Sequence, residues 1–131
     1  MALPTFSKFK CSHNMAQVFT KKLLSGSTNG KQILLTSNAN PGQTIHTAVA
    51  GTSSFDEIWI YAYNDGPNTA AVVLLWGGTT EPDNKIEIPI PAQAGRVLVA
   101  DGILLQNSLI VKAYATITAQ IVLDGFVNNI T

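Results

Sequence analysis

Thr116-Ile117-Thr118-Ala119-Gln120-Ile121-Val122-Leu123-Asp124 alternates apolar and polar residues. Successive side chains of a β-strand point to opposite faces of its sheet. In that geometry Ile117, Ala119, Ile121 and Leu123 share one face, while Thr116, Thr118, Gln120 and Asp124 share the other. The pattern is that of a half-buried antiparallel strand and predicts one over 119–127. Lys85-Ile86-Glu87-Ile88-Pro89-Ile90-Pro91 repeats it, with Ile86, Ile88 and Ile90 inward. Pro89 has no N–H to give to a ladder, which places this strand at the edge or margin of a sheet.

Working outward, short runs rich in β-branched and aromatic residues recur from Lys31 onward, separated by Gly, Pro, Asn and Asp. Strands are predicted over 32–36, 44–50, 57–63, 70–76, 85–90, 96–100, 103–105, 109–115 and 119–127. Asn40-Pro41-Gly42, Asn64-Asp65-Gly66-Pro67-Asn68, Gly77-Gly78, Glu81-Pro82-Asp83-Asn84, Ala94-Gly95, Asp101-Gly102 and Gln106-Asn107 supply turns, through positive φ at Gly or Asn or the fixed φ of Pro. Many short strands without a crossover helix predict an all-β fold: an antiparallel two-sheet sandwich, with jelly-roll topology the first expectation.

Residues 1–30 lack a sustained period. Phe6, Phe9, Val18, Phe19, Leu23 and Leu24 are scattered among polar residues, and the segment closes on Ser25-Gly26-Ser27-Thr28-Asn29-Gly30. The expected organisation is therefore an extended basic N-terminal arm over 1–30 and a β-sandwich domain over 31–131, with a short helix over 15–24 as an alternative for part of the arm.

Charge divides the chain in the same way. The first 31 residues hold Lys8, Lys10, Lys21, Lys22 and Lys31 and no Asp or Glu; the rest holds Lys85, Arg96 and Lys112 against eight acidic residues. Overall the chain is neutral, which speaks against a dedicated nucleic-acid binder. Charged residues make up 12% of the 131, about half the usual share, so an isolated molecule has few ionic side chains with which to cover its outside. Part of that outside is expected to be buried against neighbours.

Glu57-Ile58-Trp59-Ile60-Tyr61-Ala62-Tyr63 sharpens this expectation. With Ile58, Ile60 and Ala62 inward, Trp59, Tyr61 and Tyr63 line up on the opposite face, to be covered either by another part of the chain, such as the arm, or by another subunit. On the arm, Lys8, Lys10, Lys21 and Lys22 would steer it to an acidic protein surface, and Phe6, Phe9 and Phe19 would anchor it.

Chemistry has little to work with. Cys11 is the single cysteine, so no internal disulfide can form, and Cys11-Ser12-His13 supplies at most two metal ligands. His46 lies in a predicted strand and no Gly-x-Ser-x-Gly elbow accompanies it, so it reads as a satisfied or exposed strand histidine rather than a catalytic base. Asp83, Asp101 and Glu81 sit where turns favour them. Gly26-Ser27-Thr28-Asn29-Gly30-Lys31 misses the phosphate-loop spacing by one residue and lacks the Ser or Thr after Lys. No enzyme activity, metal or cofactor is expected. The longest apolar run, over 70–76, is too short to cross a bilayer as a helix, and nothing near the N-terminus has the form of a signal peptide, so assembly in a bacterial cytoplasm is expected.

Asp101-Gly102-Ile103-Leu104-Leu105-Gln106-Asn107-Ser108-Leu109-Ile110-Val111-Lys112-Ala113-Tyr114-Ala115, followed by Gly125-Phe126-Val127-Asn128-Asn129-Ile130, resembles the C-terminal half of small virion proteins of tailed bacteriophages. In these a leucine, x, asparagine, small, leucine turn leads into a strand with Ala-Tyr-Ala, and the chain finishes on a Gly-aromatic-Val-Asn strand. The resemblance covers residues 55–131 and implies a β-sandwich subunit of the head decoration (cement) or neck and tail accessory type, often trimeric, with no catalytic residues to carry over. The expected function is that of a capsid decoration subunit located in the virion. Its expected partners are further copies of itself, a trimer favoured, and the major capsid or another virion protein, with neither nucleic acid nor membrane contacted. Its expected interface residues are Phe6, Lys8, Phe9, Lys10, Phe19, Lys21, Lys22, Trp59, Tyr61 and Tyr63. A neck, tail or fibre-attachment role is the first alternative, and a carbohydrate-binding sandwich with Trp59, Tyr61 and Tyr63 as its platform is a more remote one.

Overall fold

The computed structural model describes residues 17–131. Among the described residues nine strands follow one another: β1 (Phe19–Leu23), β2 (Ile33–Leu34), β3 (Gln43–Thr47), β4 (Phe55–Asn64), β5 (Ala70–Trp76), β6 (Lys85–Ile90), β7 (Val97–Leu105), β8 (Ile110–Ala115) and β9 (Ile121–Ile130). There is no helix among the described residues, hence none long and apolar enough to cross a membrane. Two antiparallel sheets form, one ordered β1-β9-β4-β7 with β2 also on β9, the other β3-β8-β5-β6. They make the sandwich that the alternating strands predict.

Between the sheets lie Leu35, Ile45, Ile58, Ile60, Val72, Leu74, Ile90, Val111, Ile121, Leu123 and Val127, none of them reached by solvent. Each such side chain contributes about 1.5–3 kcal/mol by leaving water, and with no disulfide this burial is what holds the fold. Val73 and Leu75 point to the outside of the second sheet, yet they too are buried. Their cross-strand neighbours are Glu87 and Tyr114 for Val73, and Lys85 and Lys112 for Leu75. Lys85 is in turn tied in place by Glu81 and Glu87 at 3.4 and 2.9 Å.

Four expectations need correction. The segment 15–24 is not helical where it is described: Phe19–Leu23 is β1, paired with β9 from Phe19 opposite Ile130 to Leu23 opposite Phe126. Two turns of helix offer little stability of their own, and a free strand edge offers a ready ladder. Leu24, which follows β1, is buried in the core, so this part of the expected arm packs with the sandwich; residues 1–16 lie outside the described residues.

Of residues 116–124, only those from Ile121 onward form a strand. Ala119 has φ 57°, and residues 118–120 form a turn. Gln120, expected outward, is buried, and its Nε2 donates to the Asn68 carbonyl at 2.7 Å. The runs 96–100 and 103–105 are one strand, β7, and Asp101-Gly102 is not a turn. The register slips by one residue at Gly102 and again at Val99, so β7 carries two bulges. Gly102 has φ +84°, and a Cβ there would stand 2.9 Å from the Trp59 ring, which is why glycine is needed at this bulge. Pro89 lies in β6, an edge strand as its missing donor requires.

Candidate protein-binding face

Alternation along β4 buries Ile58, Ile60 and Ala62 and leaves Trp59, Tyr61 and Tyr63 half-buried on the outside of the first sheet. The antiparallel register brings β9 residues beside them: Asn128 opposite Glu57, Phe126 opposite Trp59, Asp124 opposite Tyr61 and Val122 opposite Tyr63. Trp59 and Phe126 stack at 6.1 Å between centroids with planes 10° apart. From β1, Phe19, Lys21 and Leu23 join the same face, and the Lys21 ammonium rests 4.5 Å over the Phe126 ring. From β7 come Leu98, Asp101 and Leu104, opposite Tyr61, Trp59 and Glu57.

Polar groups brace this aromatic layer from within. Glu57 Oε1 accepts from Asn128 Nδ2 at 2.9 Å and from Trp59 Nε1 at 3.2 Å. The Asn128 bond first, and the indole bond second, hold the Glu57 carboxyl below the ordinary carboxylate range. Arg96 donates to Asp124 at 2.8 Å and lies 4.2 Å over the Tyr61 ring. The Asp124 bond raises the guanidinium's already high pKa. Tyr63 donates to Asp65 at 3.3 Å. The face is thus an aromatic and apolar surface on which, among the described residues, Arg96 and Asp124 form the one ion pair, while Lys21 and Asp101 carry their charges without an ion-pair partner there.

Of the interface residues expected from the sequence, Phe19, Lys21, Trp59, Tyr61 and Tyr63 come together here. Lys22 stands opposite Val127 and points to the other side of β1. Phe6, Lys8, Phe9 and Lys10 lie outside the described residues, as do Cys11 and His13. Phe126, Asn128, Asp124, Arg96, Leu98 and Leu104 were missed. The alternation Asp124, Phe126, Asn128 carried a signal for β9, but β7 could not be aligned without knowledge of its bulges.

A second cluster ties the two sheets together. His46 of β3, Asp56 of β4 and Asn129 of β9 are each at most 5% exposed. His46 Nε2 meets Asp56 Oδ2 at 2.7 Å, Asn129 Nδ2 donates to Asp56 Oδ1 at 2.8 Å, and the Val49 N–H donates to Oδ2 at 3.1 Å. On the far side of the ring His46 Nδ1 accepts from the Ser25 N–H at 3.0 Å, so the ring proton sits on Nε2 and goes to Asp56. Ser, His and Asp are neighbours, but the Ser25 hydroxyl accepts from the Thr47 N–H at 2.7 Å and makes no bond to the ring. The wiring is that of a strut, in keeping with a satisfied strand histidine. Among the described residues no three His, Cys, Asp or Glu side chains converge as metal ligands.

A shallow cleft of about 300 Å³ lined by Phe55, Leu104, Leu105, Gln106 and Leu109 adjoins the aromatic face at one end of the sandwich. No protein-family model, no curated protein and no solved structure matches this chain.

Proposed function

We propose that the chain is a non-enzymatic structural subunit of a tailed-bacteriophage virion, a decoration subunit that packs the aromatic face of β4 and β9 against the major capsid protein. The observation that carries this reading is the contrast between the two outer faces. Val73 and Leu75 are buried on one, beside Glu87 and Lys85, whereas Trp59, Tyr61, Tyr63 and Phe126 stay half-exposed on the other. Large, rigid aromatic side chains of this kind dominate protein interfaces.

The strand order supports the finer fold reading. With β2 as the first strand, β2-β9-β4-β7 facing β3-β8-β5-β6 follows the order expected of an eight-strand jelly roll, a fold used by viral capsid domains, with β1 as an added edge strand. The resemblance of residues 55–131 to phage virion proteins points the same way. A sugar platform is disfavoured, because Arg96 occupies the Tyr61 ring face on which a pyranose would stack.

The test is co-sedimentation of the tagged chain with purified particles of its phage. The native chain is expected in the particle band at a fixed copy number, and Trp59→Ala is expected to release it while leaving its circular dichroism unchanged. Recovery of the native chain wholly outside the particle band refutes the reading.

A further inference from the structure

The exposed large apolar side chains among the described residues are not scattered. Val18, Phe19, Leu23 and Leu34 lie on or beside β1 and β2, Leu98 and Leu104 on β7, and Leu109 in the turn that follows β7; none lies on a strand of the β3-β8-β5-β6 sheet. They therefore collect at the two opposite edges of a single sheet, β1 and β7.

The outer-face pattern of the two edges matches. On β1, Phe19, Lys21 and Leu23 stand opposite Ile130, Asn128 and Phe126, each one outer-face position from the next. On β7, Leu98, Asp101 and Leu104 stand opposite Tyr61, Trp59 and Glu57. The six-residue separation of Leu98 and Leu104 in sequence shrinks to four strand positions because the bulges absorb Val99 and Gly102. Both edges thus present apolar, charged, apolar at the same pitch, about 7 Å per step, with a lysine at the centre of one and an aspartate at the centre of the other. Neither Lys21 nor Asp101 has an ion-pair partner among the described residues.

We propose that the β1 edge of one copy docks on the β7 edge of a second copy, head to tail, with Lys21 facing Asp101. Strand directions make this contact antiparallel: β1 runs with β4 and against β7, so Phe19 meets Leu104 and Leu23 meets Leu98. Charge selects this pairing over the symmetric ones, since β1 on β1 sets Lys21 against Lys21 and β7 on β7 sets Asp101 against Asp101. The bulges of β7 interrupt its free ladder, so side chains rather than a long run of backbone bonds carry the contact. Because each copy offers one edge of either kind, the contact is heterologous and can repeat from copy to copy. This goes beyond capsid docking, which uses the centre of the face.

Sedimentation velocity on the full chain tests the contact. The native protein is expected to associate, more weakly as salt rises. Lys21→Glu and Asp101→Lys, both at exposed positions, should each weaken association by at least about tenfold, and the combined charge swap should restore it, with circular dichroism unchanged throughout. A native chain that stays monomeric, an association indifferent to both single changes, or a folded double variant that fails to recover would each overturn the proposal. Particle binding by a monomeric chain would overturn it while leaving the decoration reading intact. A Lys21→Met variant carries the same test in weaker form should a charge reversal disturb folding.

Discussion

Replacing Asp56 with alanine strands three hydrogen-bond donors at once. The carboxylate accepts from His46 Nε2, Asn129 Nδ2 and the Val49 N–H at 2.7, 2.8 and 3.1 Å, and Asp56 itself is 3% exposed. His46 and Asn129 are also buried, so water cannot take over the lost partner without opening the space between the sheets. An unsatisfied buried polar group costs about 1–3 kcal/mol. Two of these give about 4 kcal/mol, with a smaller addition from Val49, which is only half-buried. A domain of this size has about 5–15 kcal/mol in total, so the change removes a large fraction and should lower the melting temperature by about 15 °C. Urea unfolding followed by tryptophan fluorescence measures the loss, with Asp83→Ala, in the exposed turn before β6, as a control expected to stay within about 0.5 kcal/mol of the native chain. A loss below about 1 kcal/mol for Asp56→Ala would refute the assignment of the cluster as a strut between sheets. Asp56→Asn should fall between the two, since its amide can accept from one neighbour but must face another with its own donor.

Gly125→Ala should prevent folding or cost several kcal/mol, because a Cβ there would overlap the Trp59 carbonyl oxygen across the ladder, whereas Gly95→Ala meets no atom and should lose only about 1–2 kcal/mol from its φ of +86°; soluble expression and chemical unfolding distinguish the two. Leu74→Ala, at the centre of the core, should cost about 2–5 kcal/mol by the same measurement. The Glu81 carboxyl, which accepts from the Tyr114 hydroxyl at 2.6 Å and from Asn40 Nδ2 at 3.0 Å, is held below its ordinary value by the Tyr114 bond first. Folding lowers the pKa of both Glu81 and Glu57, so the stability they contribute is present above the ordinary carboxylate range and is lost as pH falls through their lowered values. Carboxyl-carbon NMR titrations should show this directly, with Tyr114→Phe raising Glu81 and Asn128→Ala raising Glu57; titrations unmoved by these changes would refute the cause.

Much of the site was legible because strands have a period of two. Ile58, Ile60 and Ala62 could be set inward from the sequence, and Trp59, Tyr61 and Tyr63 then had to share the other face. What surrounds them was not legible. Phe126 and Asp124 lie more than sixty residues further on, and only the register of β4 against β9 brings them alongside. The bulges at Val99 and Gly102 break the very period that sequence reading relies on, which is why β7 read as two strands and its edge pattern stayed hidden.

The sequence by itself determined an all-β chain with short antiparallel strands and an aromatic outer stripe, because alternation, β-branched content and turn residues act locally. Tertiary structure alone decided which strands are neighbours, that Phe19–Leu23 completes a sheet instead of coiling into a helix, and that His46, Asp56 and Asn129 meet. Those outcomes depend on a free edge of β9 and on buried polar groups finding partners across distant parts of the chain. No local pattern encodes such contacts, since their energy exists only once both partners are in place.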